Sequence, residues 1–251
     1  MLRIEGLRRH FGGIEALAGI DYSLEAEGVF GLIGPNGSGK TTLFNVITGL
    51  YPPNGGRIRF HDEDISGRSP HRISAMGIAR TFQSPRVYRR MTVRENLRAA
   101  QHTLPGARGN WLTLARSPAR ARAEGHLDEL LEATGLAERQ NELASNLPLP
   151  DQRRLELARA LARSPKLLLL DEPAGGMTPT ETHEMAQLIR EVAAPGRTCI
   201  VIEHKMDMID ALCAQVCVLN FGRKIAEDAP GEVLKDPVVL EAYIGRQKGA
   251  A

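Results

Sequence analysis

Residues 34–42 read Gly-Pro-Asn-Gly-Ser-Gly-Lys-Thr-Thr and lie between an apolar run, Gly28 to Ile33, and a stretch with helical spacing, Lys40 to Gly49. No other segment restricts the fold as much. Gly34 to Thr41 satisfies G-x-x-x-x-G-K-[ST] in the strand–loop–helix setting that this pattern requires. Gly37 and Gly39 let the backbone curl until consecutive N–H groups face one centre, and the helix N-terminus behind them adds to that anion cradle. Gly34, Pro35, Asn36, Ser38 and Thr42 complete the loop. Lys40 offers a point charge to the β- and γ-phosphates of a nucleotide, and Thr41 offers a hydroxyl to Mg²⁺. A strand, phosphate loop and helix in that order imply an α/β chain with a mostly parallel sheet.

A second anchor is Leu167 to Glu172. An apolar strand ending in Asp171-Glu172 places two carboxylates at its carboxyl edge, where open α/β sheets bind ligands. Asp171 suits the Mg²⁺ shell, and Glu172 suits a base that orients and deprotonates an attacking water. Gln83 follows Arg80-Thr81-Phe82 in a loop that could reach metal and water. His204 follows the apolar run Ile200-Val201-Ile202, where a polar side chain projects toward the same edge.

The remaining segments fit this class. Leu2 to Leu7, Arg57 to His61, Thr198 to Glu203, Val216 to Asn220 and Arg223 to Glu227 read as strands, the last two as a hairpin across Phe221-Gly222. Short helices are predicted over Arg72 to Met76 and Asp207 to Ala214, and longer ones over Asp151 to Arg163 and Pro179 to Ala193. A helical middle spans about 87–163, and a helical cap about 230–247, within a single domain covering 1–251. Inside the middle, Gln101 to Gly125 is rich in Arg, Ala, Gly and Pro, holds the only tryptophan, Trp111, and reads as a surface insertion.

Lys and Arg number 32 against 30 Asp and Glu, a net charge of +2 that gives no electrostatic argument for a nucleic-acid partner, and none is expected. The N-terminus is too polar for a secretory core, and no run of about 18 apolar residues exists. Membrane association is therefore expected through a protein partner. Cys199, Cys213 and Cys217 are expected as small core residues in a reducing, cytosolic compartment.

Taken in order, the phosphate loop, Gln83, a helical insert, Asp171-Glu172 and His204 resemble the nucleotide-binding subunit of an ABC transporter over nearly the whole chain. The resemblance implies a P-loop ATPase fold with an antiparallel N-terminal β-subdomain and a helical subdomain. It implies ATP and Mg²⁺ as cofactors, with Phe11 stacking on adenine and Thr41, Gln83 and Asp171 around the metal. Gly77 to Gln83, Met91 to Asn96, Gln152 to Glu156, Asp171 to Met177 and the ending from Gly222 to Gly245 look like ATPase subunits of branched-chain amino-acid importers. That branch implies transmembrane permease subunits as partners, with Ser84 to Tyr88 as the docking loop. It also implies a second ABC ATPase packed head to tail, a periplasmic solute-binding protein acting indirectly, and a peripheral place on the cytoplasmic side of the membrane.

One motif departs from that pattern. Aligned on Arg153-Arg154-Leu155-Glu156, the family's Leu-Ser-Gly-Gly-Gln signature becomes Leu147-Pro148-Leu149-Pro150-Asp151. A hydroxyl is lost at Pro148 and a backbone N–H at Pro150. Asp151 adds negative charge where a γ-phosphate is expected. A helix tolerates Pro and an acid in its first turn, so the fold is safe and the anion site is weakened. One lost preorganised donor costs roughly 10²–10³ in rate by analogy with oxyanion holes. In a head-to-tail pair the signature acts on the partner's ATP, so a heterodimer would hold one strong and one weak site. Three other readings compete: a lipid or lipopolysaccharide exporter ATPase, an ABC ATPase acting on ribosomes or DNA, and a weakly hydrolytic regulatory subunit. The second expects tandem domains or basic patches, and intact Glu172 and His204 oppose the last.

Overall fold

A computed structural model describes residues 1–101 and 118–244. Trp111, most of the expected Gln101–Gly125 insertion and Gly245 at the end of the expected cap lie outside the described residues. The chain divides into two compact units, Met1–Ser74 with Thr198–Ala251, and Ala75–Arg197.

The first unit opens with β1 (Leu2–Phe11), β2 (Ile14–Leu24), β3 (Gly28–Ile33), α1 (Lys40–Ile47), β4 (Gly55–Phe60), β5 (Glu63–Asp64) and α2 (Pro70–Ala75). The second unit contains β6 (Ile78–Arg80), α3 (Val93–Gln101), α4 (Pro118–Ala133), α5 (Leu149–Leu161), β7 (Leu167–Asp171) and α6 (Pro179–Leu188), which runs into a π-turn, Ile189–Ala193. The first unit then resumes with β8 (Thr198–Ile202), α7 (Met206–Leu212), β9 (Gln215–Asn220), β10 (Arg223–Asp228), α8 (Pro230–Val233) and α9 (Pro237–Ile244).

In the first unit β2, β1, β4 and β5 form an antiparallel sheet in that order. Leu2, Ile4, Ile20, Leu24, Ile58 and Phe60 bury one of its faces. Strand β3 lies between β8 and β9, parallel to both, from Gly28↔Thr198 to Leu32↔Ile202 and from Phe30↔Gln215 to Ile33↔Val218. β9 and β10 form the expected hairpin over Phe221-Gly222. Strand β8 is buried along its whole length, and β3 all but its first residue, as continuous apolar runs covered on both faces require.

The second unit starts twelve residues before the predicted helical middle because it also contains β6 and β7, paired in parallel from Ile78↔Leu167 to Arg80↔Leu169. Arg94 bonds Glu124 at 2.9 Å and also pairs with Asp128, so α3 is held to α4 by charge as well as by buried Leu97, Leu127 and Leu131. Helix α6 begins where its sequence says it should. Thr178 accepts from the Glu181 N–H, Glu181 reaches back to the Thr178 N–H at 2.8 Å, and Pro179 occupies the first turn.

Three strands escaped the sequence reading. β2 has a period-two set, Ala18, Ile20, Tyr22 and Leu24, but Gly19 and two alanines depress its strand propensity. Its pairing carries β1 on to Phe11, four residues past the predicted end. β5 and β6 are two and three residues long, below what periodicity resolves.

Candidate functional site

In the first unit, β3 delivers the chain into the phosphate loop and α1 leaves it. Gly34 has φ +146°, and a Cβ there would lie 2.0 Å from the Leu219 carbonyl oxygen and 2.8 Å from Ser38 Oγ. The loop therefore passes against β9 with no room for a side chain. It is closed by the Ser38 N–H donating to the Pro35 carbonyl at 3.2 Å, and by the Gly222 N–H donating to the Ser38 carbonyl at 2.9 Å. Asn36 and Gly37 are exposed at its tip. Helix α1 begins after Gly39 with no capping side chain and no acid in its first turn, so its N-terminus keeps its affinity for an anion.

Lys40 is 6% exposed. Its Nζ donates to the Gly34 carbonyl at 2.7 Å, to the Pro35 carbonyl at 2.9 Å and to Ser38 Oγ at 3.4 Å. The buried cation is thereby solvated by the loop it serves. Thr41 is exposed at the start of α1, and Thr42 is half-buried beside it.

Phe11 ends β1 with 39% exposure. Tyr51 meets its ring edge-on at 5.1 Å, and the Arg9 guanidinium lies 4.5 Å from its centroid. Arg9 is tied to the Pro52 carbonyl at 2.9 Å. His204 lies just past β8 and is exposed. Its N–H donates to Glu203 Oε2 at 2.9 Å, and the Lys205 N–H donates to the same oxygen at 3.3 Å. Buried Glu203 thus shapes the turn that presents His204.

In the second unit, Asp171 ends β7 and Glu172 follows at φ +48°. A non-glycine residue in the left-handed region costs of order 1–2 kcal/mol, and such strain clusters at functional sites. The turn brings Glu172 to Gln83, whose Nε2 donates to Glu172 Oε2 at 3.0 Å. These two residues, assigned separately from sequence, meet in the fold.

Asp171 is almost fully buried and holds Arg80 at 2.7 Å through Oδ2, the two side chains being 3% and 6% exposed. Its backbone N–H donates to Thr81 Oγ1 at 3.2 Å. Sequence reading passed over Arg80 and Thr81. The available signal was their place immediately before Phe82-Gln83, at the end of a strand in register with β7.

The altered signature is the start of α5. Leu147 is buried, Pro148 is extended at φ −64°, ψ 161° as the boundary residue, and the helix begins at Leu149, two residues before the predicted start. Pro150 occupies the first turn, where its missing N–H breaks no helical bond. The turn closes from the Gln152 N–H to the Pro148 carbonyl at 3.0 Å. Asp151 is not an open negative charge. Arg139 approaches it at 3.3 Å and Arg154 at 3.7 Å.

Glu156, on the same helix, is buried, and burial pushes its carboxyl above the usual range against the pull of the Arg86 and Phe82 N–H groups. All three cysteines are buried, and burial pushes Cys213 and Cys217 up to about 12. Cys213 and Cys217 are therefore protonated, unreactive core residues at neutral pH.

The ABC transporter family matches residues 17–175, and the family described as branched-chain amino acid ATP-binding cassette transporter matches residues 223–248. The chain is 42% identical over 250 residues to the high-affinity branched-chain amino acid transport ATP-binding protein LivG of Salmonella typhimurium, covering 98% of each chain. It is 39% identical to the corresponding protein BraF of Pseudomonas aeruginosa, again over 98% of each. Among solved structures, the ADP conformation of an ATP-binding cassette of an ABC transporter superposes with a TM-score of 0.83 at 32% identity, covering 98% of this chain and 99% of the other.

Proposed function

The chain belongs to the ABC transporter ATP-binding family, and on that premise we propose that it is the ATPase subunit of a branched-chain amino-acid importer. It binds nucleotide and couples ATP hydrolysis to transport through membrane permease partners. Among the described residues no helix is long and apolar enough to cross a membrane. Peripheral attachment to permeases on the cytoplasmic side accords with that.

The observation that carries hydrolysis is the Gln83–Glu172 contact at 3.0 Å on the turn after β7. Glu172 accepts the proton of the attacking water, and Gln83 holds that water in line. The phosphate loop with Lys40 binds the β- and γ-phosphates, Phe11 stacks on adenine, and His204 faces the γ-phosphate. Thr41 and Asp171 are hard oxygen donors of the kind Mg²⁺ takes. Asp171 meets Arg80 through one oxygen, and its carboxylate keeps further lone pairs with which it would help hold the ion. The ion, when bound, offsets charge on the phosphates.

We assign a heterodimer as the working assembly, in which this chain's phosphate loop meets an intact partner signature and its own altered signature meets the partner's ATP. The test is Glu172→Gln in the assembled transporter. Hydrolysis should fall by about 10²-fold or more with ATP affinity retained, as for loss of a general base. Wild-type turnover in that variant would remove Glu172 from the chemistry.

A further inference from the structure

Helix α5 carries Arg153, Glu156 and Arg159 at three-residue intervals, so they lie along one side of it. All three reach the segment that holds Gln83. Glu156 Oε1 accepts the Phe82 N–H at 3.1 Å and the Arg86 N–H at 3.2 Å. Arg153 donates to the Phe82 carbonyl at 3.2 Å and to the Gly175 carbonyl at 3.1 Å. Arg159 donates to the Arg86 carbonyl and lies 4.6 Å over the Tyr88 ring. The Arg86 guanidinium covers the Phe82 ring at 4.0 Å.

Gln83 is thus suspended between two anchored peptide groups, Phe82 and Arg86, held by one carboxylate oxygen. Arg153 links the loop of Gln83 to the loop that follows Glu172, and the Gly175 N–H bonds the Glu172 carbonyl at 3.0 Å. Neither loop can shift against α5 without stranding buried donors or acceptors, which is expensive where water cannot replace them. The far end of the segment is tied as firmly. Fully buried Asn96 accepts the Tyr88 N–H at 2.8 Å and donates to the Tyr88 carbonyl at 3.0 Å.

We propose that Glu156, with Arg153 beside it, is a positioning residue that sets the Gln83–Glu172 contact and ties it to α5. Since α5 starts at the altered signature, displacement of its N-terminal end is carried to Gln83 and on to the docking loop through Tyr88. This rests on the reading of Gln83 and Glu172 given above.

The experiment compares Glu156→Leu and Glu156→Gln in the assembled transporter, with Glu172→Gln as control. Gln keeps an oxygen at the bonding position, and Leu does not. Glu156→Leu should lower kcat by about tenfold or more through misplacement of Gln83, with KM for ATP little changed. Glu156→Gln should restore kcat to within about twofold of wild type. Equal loss in both variants, or wild-type kcat in folded Glu156→Leu, overturns the proposal. Amide exchange across 82–88 in the wild-type complex decides the matter even if Glu156→Leu fails to fold. Slow exchange at Phe82 and Arg86 supports the anchor, and exchange at the free-peptide rate refutes it. Retained hydrolysis in Glu172→Gln would instead refute the assignment of Glu172 and leave the exchange result standing.

Discussion

Gly34 and Gly37 occupy the same loop and both have positive φ, yet they are held to glycine for different reasons. At Gly34 a Cβ would overlap the backbone of β9 at 2.0 Å, so Gly34→Ala must move a strand or the loop. At Gly37, φ +78°, nothing lies within 4 Å, and alanine meets only backbone strain. Denaturant titration should show Gly34→Ala destabilised by about 2–4 kcal/mol and unable to bind ATP. Gly37→Ala should lose only about 1–2 kcal/mol. Equal losses would mean that contact with β9 does not shape the loop. Most candidate site residues could be picked out because motif spacing places them, as with Lys40, Gln83, Asp171 and Glu172. Arg80, Glu156 and Arg153 were not, since a charged residue at the end of a strand or on a helix reads as solvated until its partner's position is known.

At the scale of elements, α5 shows how a disruptive sequence can leave a helix intact. Pro148 and Pro150 fall at the boundary and in the first turn, where backbone N–H groups are unused by the helix. What they remove is a donor for an external anion. Arg139 and Arg154 also pair with Asp151, so on the proposed reading the groups lost at Pro148 and Pro150 remain as the defect of this signature. Pro150→Gly should raise the ATPase rate of the assembled transporter while lowering stability by about 0.4–1 kcal/mol through the looser unfolded chain. An unchanged rate, measured at saturating ATP, would show that this donor does not limit turnover. β2 teaches a related lesson. Its alternating residues become a strand only because β1 lies beside them, and a propensity argument stops at Gly19.

For the whole molecule, the altered signature predicts unequal roles for two ATPase subunits. If this chain's phosphate loop works with an intact partner signature, Glu172→Gln here should remove most hydrolysis, about 10²-fold or more. Changing the corresponding carboxylate of the partner should matter by less than about twofold. Rates measured on reconstituted transporters with one subunit changed at a time check this, and equal effects would favour two equivalent sites. The same comparison separates this reading from a subunit that binds ATP without turning it over, in which Glu172→Gln here leaves the rate unchanged.

Local pattern was enough to establish the phosphate loop, the buried parallel strands, the capped helix α6 and the carboxylate pair after β7. Each depends on neighbours a few residues away, through backbone curl, period or capping. Only the tertiary structure decided that Arg80 neutralises Asp171, that Glu172 enters a strained turn to meet Gln83, and that α5 holds the Gln83 loop through one buried carboxylate. Those pairs lie 91, 89 and 74 residues apart in sequence. The Arg80–Asp171 and Phe82–Glu156 pairs draw energy from taking a charge and its partner out of water together, and no local pattern records any of the three.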